Sequence, residues 1–316
     1  MNKICVFFCV FLIIFSKTGY AAENPRFSKK EINALDLLKQ VKKFEKTIGL
    51  KETKNFQKFE KNNTFYTDLF YQEKTKIPFS YLHPDLKYRP VNHEKLDDAL
   101  NNLNSFLKEK ITSSRYDLFL YNSEAKANGT RITKRLLNSE KERLIYVVIH
   151  EDWHDNAALP SHIEEASGDL IGYVGMWKFL GVKDKGIEIL LKERLRRAEA
   201  INRFYKEFDC LALRYSFGRI DKRMFKSEKE KIISHLKDNA YFPNFSSMTK
   251  FSFFHTYTYY FPLMCELFRS LGFNLNKFIA VLKETPFRTT AEENSDFYKT
   301  KKIERKIESY LKNYLK

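Results

Sequence analysis

Residues 145–155 read IYVVIHEDWHD, and the interpretation of the whole chain turns on them. The apolar run Leu144 to Ile149 leads into His150, Glu151 and, four residues after the first histidine, His154. An unbroken apolar run suits a helix buried in the core. Residues four apart on a helix share a face, so both imidazoles can reach one zinc ion. Glu151, one step round, is placed to take a proton as a water attacks a carbonyl. The expected cofactor is one Zn2+ per chain. Asp152 departs from the usual pattern, in which uncharged residues fill the middle of the motif.

Working outward, residues 163–172 read IEEASGDLIG. A zinc held by two histidines needs a third protein ligand and one open position. Pro160 separates this segment from the first helix, and the short loop 156–160 lets the two helices pack antiparallel. Glu165, Asp169, Gly172 and Met176 then share one face, while Ile163, Ala166, Leu170 and Val174 share another that suits the core. Gly172 permits close approach to the first helix. Glu165 is the preferred third ligand. Glu164, which also fits a capping box with Ser161, and His162 are the alternatives.

Helices dominate the remainder. Four are expected to open on a capping box, in which a serine and a glutamate three residues on satisfy free backbone N–H groups. The pairs are Ser28 with Glu31, Ser139 with Glu142, Ser161 with Glu164, and Ser227 with Glu230. The first carries Ile32, Leu35, Leu38, Val41 and Phe44 on one stripe and ends near Gly49. The second runs through Ile149 and the third to about Phe179. A long charged helix is expected over Lys185 to Phe208. Thr64 to Tyr71 and Tyr116 to Tyr121 are short, aromatic-rich strand candidates, with an irregular stretch marked by Pro78, Pro84 and Pro90 between them. The expected fold class is mostly α with a small β-sheet (α+β), as a single domain over residues 22–316.

The ends and the composition set the compartment. Lys3 precedes the apolar run Ile4 to Phe15, and residues 17–22 read KTGYAA. That is the pattern of a signal peptide over residues 1–21, cleaved after Ala21 or one residue later, for export to the periplasm or medium; the alternative is an uncleaved membrane anchor. No later stretch is apolar enough to span a membrane, although association with a membrane surface remains compatible with the composition. Cys210 and Cys265 are the cysteines left after cleavage, too few for a disulfide scaffold. The formal charge is +16, but acids interleave with the lysines throughout and no nucleic-acid motif is present. The charge therefore reads as solvated helix faces rather than a nucleic-acid surface.

Glu165-Ala166-Ser167-Gly168-Asp169 with Gly172 resembles the glutamate helix of thermolysin-type gluzincins, E-A-x-x-D-x-x-G. The resemblance implies that Glu165 binds zinc and that Asp169 holds a zinc histidine. A broader, weaker resemblance is to the bacterial predicted aminopeptidase family of exported proteins. It rests on Leu37 to Leu50, Tyr116 to Leu137, and Thr256-Tyr257 with Pro262, Leu267, Phe278 and Val281. It implies a zincin-like domain and a zinc metallopeptidase, aminopeptidase-like, acting on a peptide or protein. That family usually reads H-E-L-A-H-Q where this chain reads H-E-D-W-H-D, and its upstream cysteine-containing insertion is missing here. Tyr257 or His255, in the cluster Phe254 to Tyr260, is the expected donor to a developing oxyanion. The alternatives are a zinc endopeptidase of the same fold and a catalytically inactive envelope binding protein.

Overall fold

Helix α1 (Lys29–Thr47) starts at the expected capping box: Ser28 N donates to Glu31 Oε2 at 2.8 Å and Glu31 N donates to Ser28 Oγ at 3.3 Å. Gly49, at φ +90°, turns the chain just beyond its end. The computed structural model describes residues 27–60, 65–126, 129–237, 242, 247–290, 293 and 296–315. The segment expected to be a signal peptide lies outside the described residues, as does Thr64 at the head of the first expected strand.

Strands β1 (Tyr66–Glu73), β2 (Lys87–Pro90) and β3 (Tyr116–Ser123) form an antiparallel sheet of order β2-β1-β3. Phe70 faces Tyr88 on one side and Phe119 on the other. Strand β2 falls in the stretch expected to be irregular. It is only four residues long, lies at the sheet edge and ends on Pro90, a position where the missing N–H costs no ladder bond. Short helices α2 (Leu96–Asn101) and α3 (Ser105–Thr112) lead into β3. Helices α4 (Lys134–Asn138), α5 (Lys141–Asn156), α6 (Ser161–Phe179), α7 (Asp184–Ser216) and α8 (Lys222–Lys237) follow. Then come α9 (Met248–Thr258), α10 (Phe261–Ser270), α11 (Leu275–Glu284) and α12 (Phe297–Lys312).

Three of the four expected capping boxes are not formed. Ser139 closes α4, donating to Leu136 O at 2.7 Å, and α5 begins after Glu140 without a side-chain cap. Pro160 takes the cap position of α6, and Ser161 is already helical, so Glu164 is free for another partner. Ser227 lies inside α8, which starts five residues earlier, where Asp221 Oδ1 accepts from Met224 N at 2.7 Å. Helix α7 continues past Phe208 to Ser216, because Leu211 extends the buried stripe of Ile187, Leu191, Ala198, Ile201 and Phe204.

Helix α6 is the centre of the molecule. Ile163, Ala166, Leu170, Ile171 and Val174 are wholly buried against Ile145, Val148 and Ile149 of α5 and the residues of α1, α10 and α11. The α5–α6 contact is close because of its glycines. A Cβ on Gly172 would lie 3.0 Å from the Tyr146 ring, and one on Gly168 would lie 3.2 Å from the His150 ring. Asp152 explains its own departure from the motif pattern. It is buried, paired with Lys42 of α1, and accepts from Thr53 Oγ1 at 2.7 Å, which ties α5 to the N-terminal segment. The sheet packs on α9 through Phe70, Leu86 and Phe253, which brings Tyr121 and Tyr257 together. Cys210 is exposed and Cys265 buried, and neither is in a disulfide. Among the described residues no helix is long and apolar enough to cross a membrane.

Candidate metal centre

Helix α5 presents His150 and His154 one turn apart, and α6, running back against it, presents Glu165 to both. His150 Nε2 lies 3.2 Å from His154 Nε2 and 3.2 Å from Glu165 Oε2, and His154 Nε2 lies 3.5 Å from Glu165 Oε2. A tetrahedral zinc with donors at about 2.0–2.1 Å separates them by about 3.3 Å. The three atoms are thus spaced like the face of such a tetrahedron and could hold a metal ion. Of the three third-ligand choices, Glu165 is the one brought to both imidazoles.

The outer nitrogens are held as well. Glu164 Oε1 lies 2.7 Å from His154 Nδ1. Asp169 Oδ1 lies 3.5 Å from His150 Nδ1 and accepts a hydrogen bond from Tyr146 OH. Each imidazole therefore turns one nitrogen to a carboxylate and the other to the shared point, the orientation that favours Nε2 as ligand. The sequence reading assigned Glu164 to a helix cap; its carboxylate instead orients His154. His162 is turned the other way, wholly buried and paired with Glu304 of α12, so it takes no part in the centre.

The electrostatics ask for a positive charge at the shared point. Burial opposes protonation of His150 and His154, yet the hydrogen bonds and charge of Glu165 raise both above the usual histidine value. Burial likewise opposes ionisation of Glu165, but the charge of His154 and hydrogen bonds from both imidazoles hold it far below the usual carboxylate range. Neutral imidazoles around a cation satisfy the same geometry. Glu151 is the next acid in this field, its pKa raised by burial against the pull of the two histidines.

Tyr81, which sequence reasoning missed, donates from its hydroxyl to Glu165 Oε1 at 2.9 Å. It sits in the Pro-rich stretch before β2, held there by Thr256 Oγ1 accepting from Tyr81 N at 3.2 Å, and no motif signals it. Burial and the Glu165 charge raise its pKa, so it stays a donor. Tyr257 of α9 lies with its ring 6.4 Å from that of His150. His255 is two residues earlier, on the opposite face of α9: its Nδ1 is 2.7 Å from Phe79 O and its ring stacks on Tyr205 at 3.7 Å. His255 is therefore a core residue rather than an oxyanion donor, its pKa lowered to about 3 by burial.

The chain was compared with protein-family models, with curated proteins and with solved structures. It matches none of them. The functional reading thus rests on the centre and its surroundings. A cavity of about 610 Å³ opens next to it, between α5, α6, α7, α9 and β3. The triad is not part of its wall; the cavity approaches through Tyr146, Asp169 and Tyr257, the residues that pack on His150.

Proposed function

We propose that the chain is a zinc metallopeptidase of zincin-like type. The observation that carries this is the triangle of His150 Nε2, His154 Nε2 and Glu165 Oε2, with edges of 3.2, 3.2 and 3.5 Å. A zinc bound there supplies Lewis acidity, polarising a carbonyl and acidifying water. His150, His154 and Glu165 hold it. Glu164 and Asp169 fix the imidazoles from behind, and Tyr81 fixes the Glu165 carboxylate. Glu151, its pKa raised by burial, takes the proton of the attacking water and returns it to the departing amine. The Tyr257 hydroxyl, without a hydrogen-bond partner among the described residues and kept a phenol by burial, donates to the developing oxyanion. Aminopeptidase action and export are what the sequence resemblance and the signal-peptide pattern imply, and they are proposed on that basis.

Metal analysis and one variant test the reading together. Protein purified without chelator should carry about one zinc per chain. Glu151→Gln should keep that zinc and lose hydrolysis of a peptide library by at least about 100-fold, because the base is removed and no ligand is touched. A folded protein that neither contains nor takes up zinc would sink the proposal, as would a Glu151→Gln variant with near-normal turnover.

A further inference from the structure

The cavity beside the triad is lined by cations that no carboxylate among the described residues pairs with at ion-pair distance. Arg194, Arg197 and Lys250 line it, and none has a carboxylate within ion-pair distance among the described residues. Arg143 lines it too, but is engaged by Glu124 at 2.7 Å. Asp169 is the sole carboxylate on the wall among the described residues, and Tyr146 and His150 already occupy it. The Arg194 guanidinium lies 3.6 Å above the centre of the Tyr173 ring. Stacking of that kind fixes the guanidinium plane and leaves its edge of N–H groups free, the geometry that takes a carboxylate with two parallel bonds.

Arg194, Arg197, Ala198 and Ile201 recur at the spacing of one helix face, which puts both arginines of α7 on the cavity wall, Arg194 half-buried and Arg197 exposed. Opposite them stand Phe254 and Tyr257 of α9 and Tyr121 of β3, an apolar wall suited to a side chain. The volume, about 610 Å³, falls in the range of small-ligand sites, about 300–1,000 Å³. A free amine would need carboxylates where this wall carries guanidiniums, so charge keeps the amino terminus of a substrate out of this cavity and leaves the cavity to the other side of the scissile bond.

We infer that this cavity binds a carboxylate of the substrate, directing the proposed peptidase to peptides with a carboxylate close to the scissile bond. The carboxylate is either the peptide's own carboxyl terminus or an acidic side chain. Asp169 links the two regions, since it touches His150 and feels the charge of Arg194. The inference rests on the peptidase reading for its role, but binding in the cavity does not require the metal.

Binding is therefore measured on the Glu151→Gln protein, so that no probe is consumed. Three peptides with a neutral amino-terminal fluorophore are titrated by anisotropy: Ala-Phe-Ala with a free carboxyl terminus, its amide, and Ala-Phe-Glu amide. At least one carboxylate-bearing probe should bind about 10–100-fold more tightly than the neutral amide, and the one that does identifies the source. Adding Arg194→Gln and Arg197→Gln should abolish the preference, and Arg194→Lys should recover part of it. Equal affinity for all three probes overturns the inference, and this comparison needs no cavity variant to fold. A preference that survives the double substitution overturns it too. Zinc-dependent hydrolysis that ignores the carboxylate removes this inference alone. A carboxylate preference in a protein that binds no zinc removes the peptidase reading and leaves the anion site.

Discussion

At the scale of single residues, the acids of α6 divide by what they touch. Glu165 faces both Nε2 atoms, Glu164 meets His154 Nδ1 at 2.7 Å, and Asp169 stands 3.5 Å from His150 Nδ1 while also serving Tyr146. The helix-cap assignment of Glu164 predicts that its removal leaves the metal in place; its carboxylate at 2.7 Å from His154 Nδ1 predicts a weakened site instead. Glu165→Ala should abolish stoichiometric zinc. Glu164→Ala should weaken zinc by roughly 10–100-fold, and Asp169→Ala by less, because Tyr146 remains beside His150 Nδ1 at 3.4 Å. Competition with a chelator of known affinity ranks the three. A Glu164→Ala protein that holds zinc as wild type would return that residue to the role of a cap.

At the scale of elements, the centre exists because α5 and α6 approach closely. His150 and His154 are fixed relative to one another by helix geometry, but Glu165 reaches them only if the two helices touch. Gly172 and Gly168 allow that contact. Tyr146 cannot yield to a Cβ at Gly172, since its ring is buried and its hydroxyl is held by Asp169. Gly172→Ala should therefore cost about 1–3 kcal/mol of stability and displace α6 enough to lower zinc affinity in parallel. Thermal unfolding with and without added zinc measures both effects. An unchanged midpoint would mean the helices are not in the contact described.

At the scale of the whole molecule, the far end of the chain anchors α6 from behind. Glu304 of α12 pairs with His162, with Lys301 at 2.8 Å and with Tyr260 OH at 3.4 Å. Lys301 Nζ lies 3.9 Å from the centre of the Phe79 ring and 4.5 Å from that of Tyr259. Burial raises the Glu304 pKa, but the hydrogen bond and charge of His162 and the charge of Lys301 outweigh it, and the carboxyl lies below its usual range. The folded value is below the unfolded value of about 4.3, so the stabilisation is complete above about pH 4.3. It is lost as pH falls through the folded value. Glu304→Gln should cost about 3–5 kcal/mol at pH 7, because removing one partner strands the others in the core. Its stability should also fall less steeply in acid than that of the parent. Equal stability of the two proteins at pH 7 would show that α12 is not held through this group.

The sequence by itself determined the α+β class, the first capping box, the two aromatic strands and the helical pairing of His150 with His154. These features are local: a helix places residues four apart on one face whatever surrounds it, and alternation or an unbroken apolar run reports burial directly. Helix spacing put Glu165 forward, the resemblance added the role of Asp169, and α6 carries both to the imidazoles. Tertiary structure alone placed Tyr257 beside His150 and His255 against Phe79 and Tyr205, since an aromatic cluster does not state which face of α9 meets α5. It also decided that Ser161 does not cap α6, that Asp152 is neutralised by Lys42, and that Tyr81 reaches Glu165 across 84 positions of chain. Each of these depends on a partner distant in sequence. The energy that selects such a partner, burial of a polar group with its hydrogen bonds satisfied, is defined only once the core has closed around both.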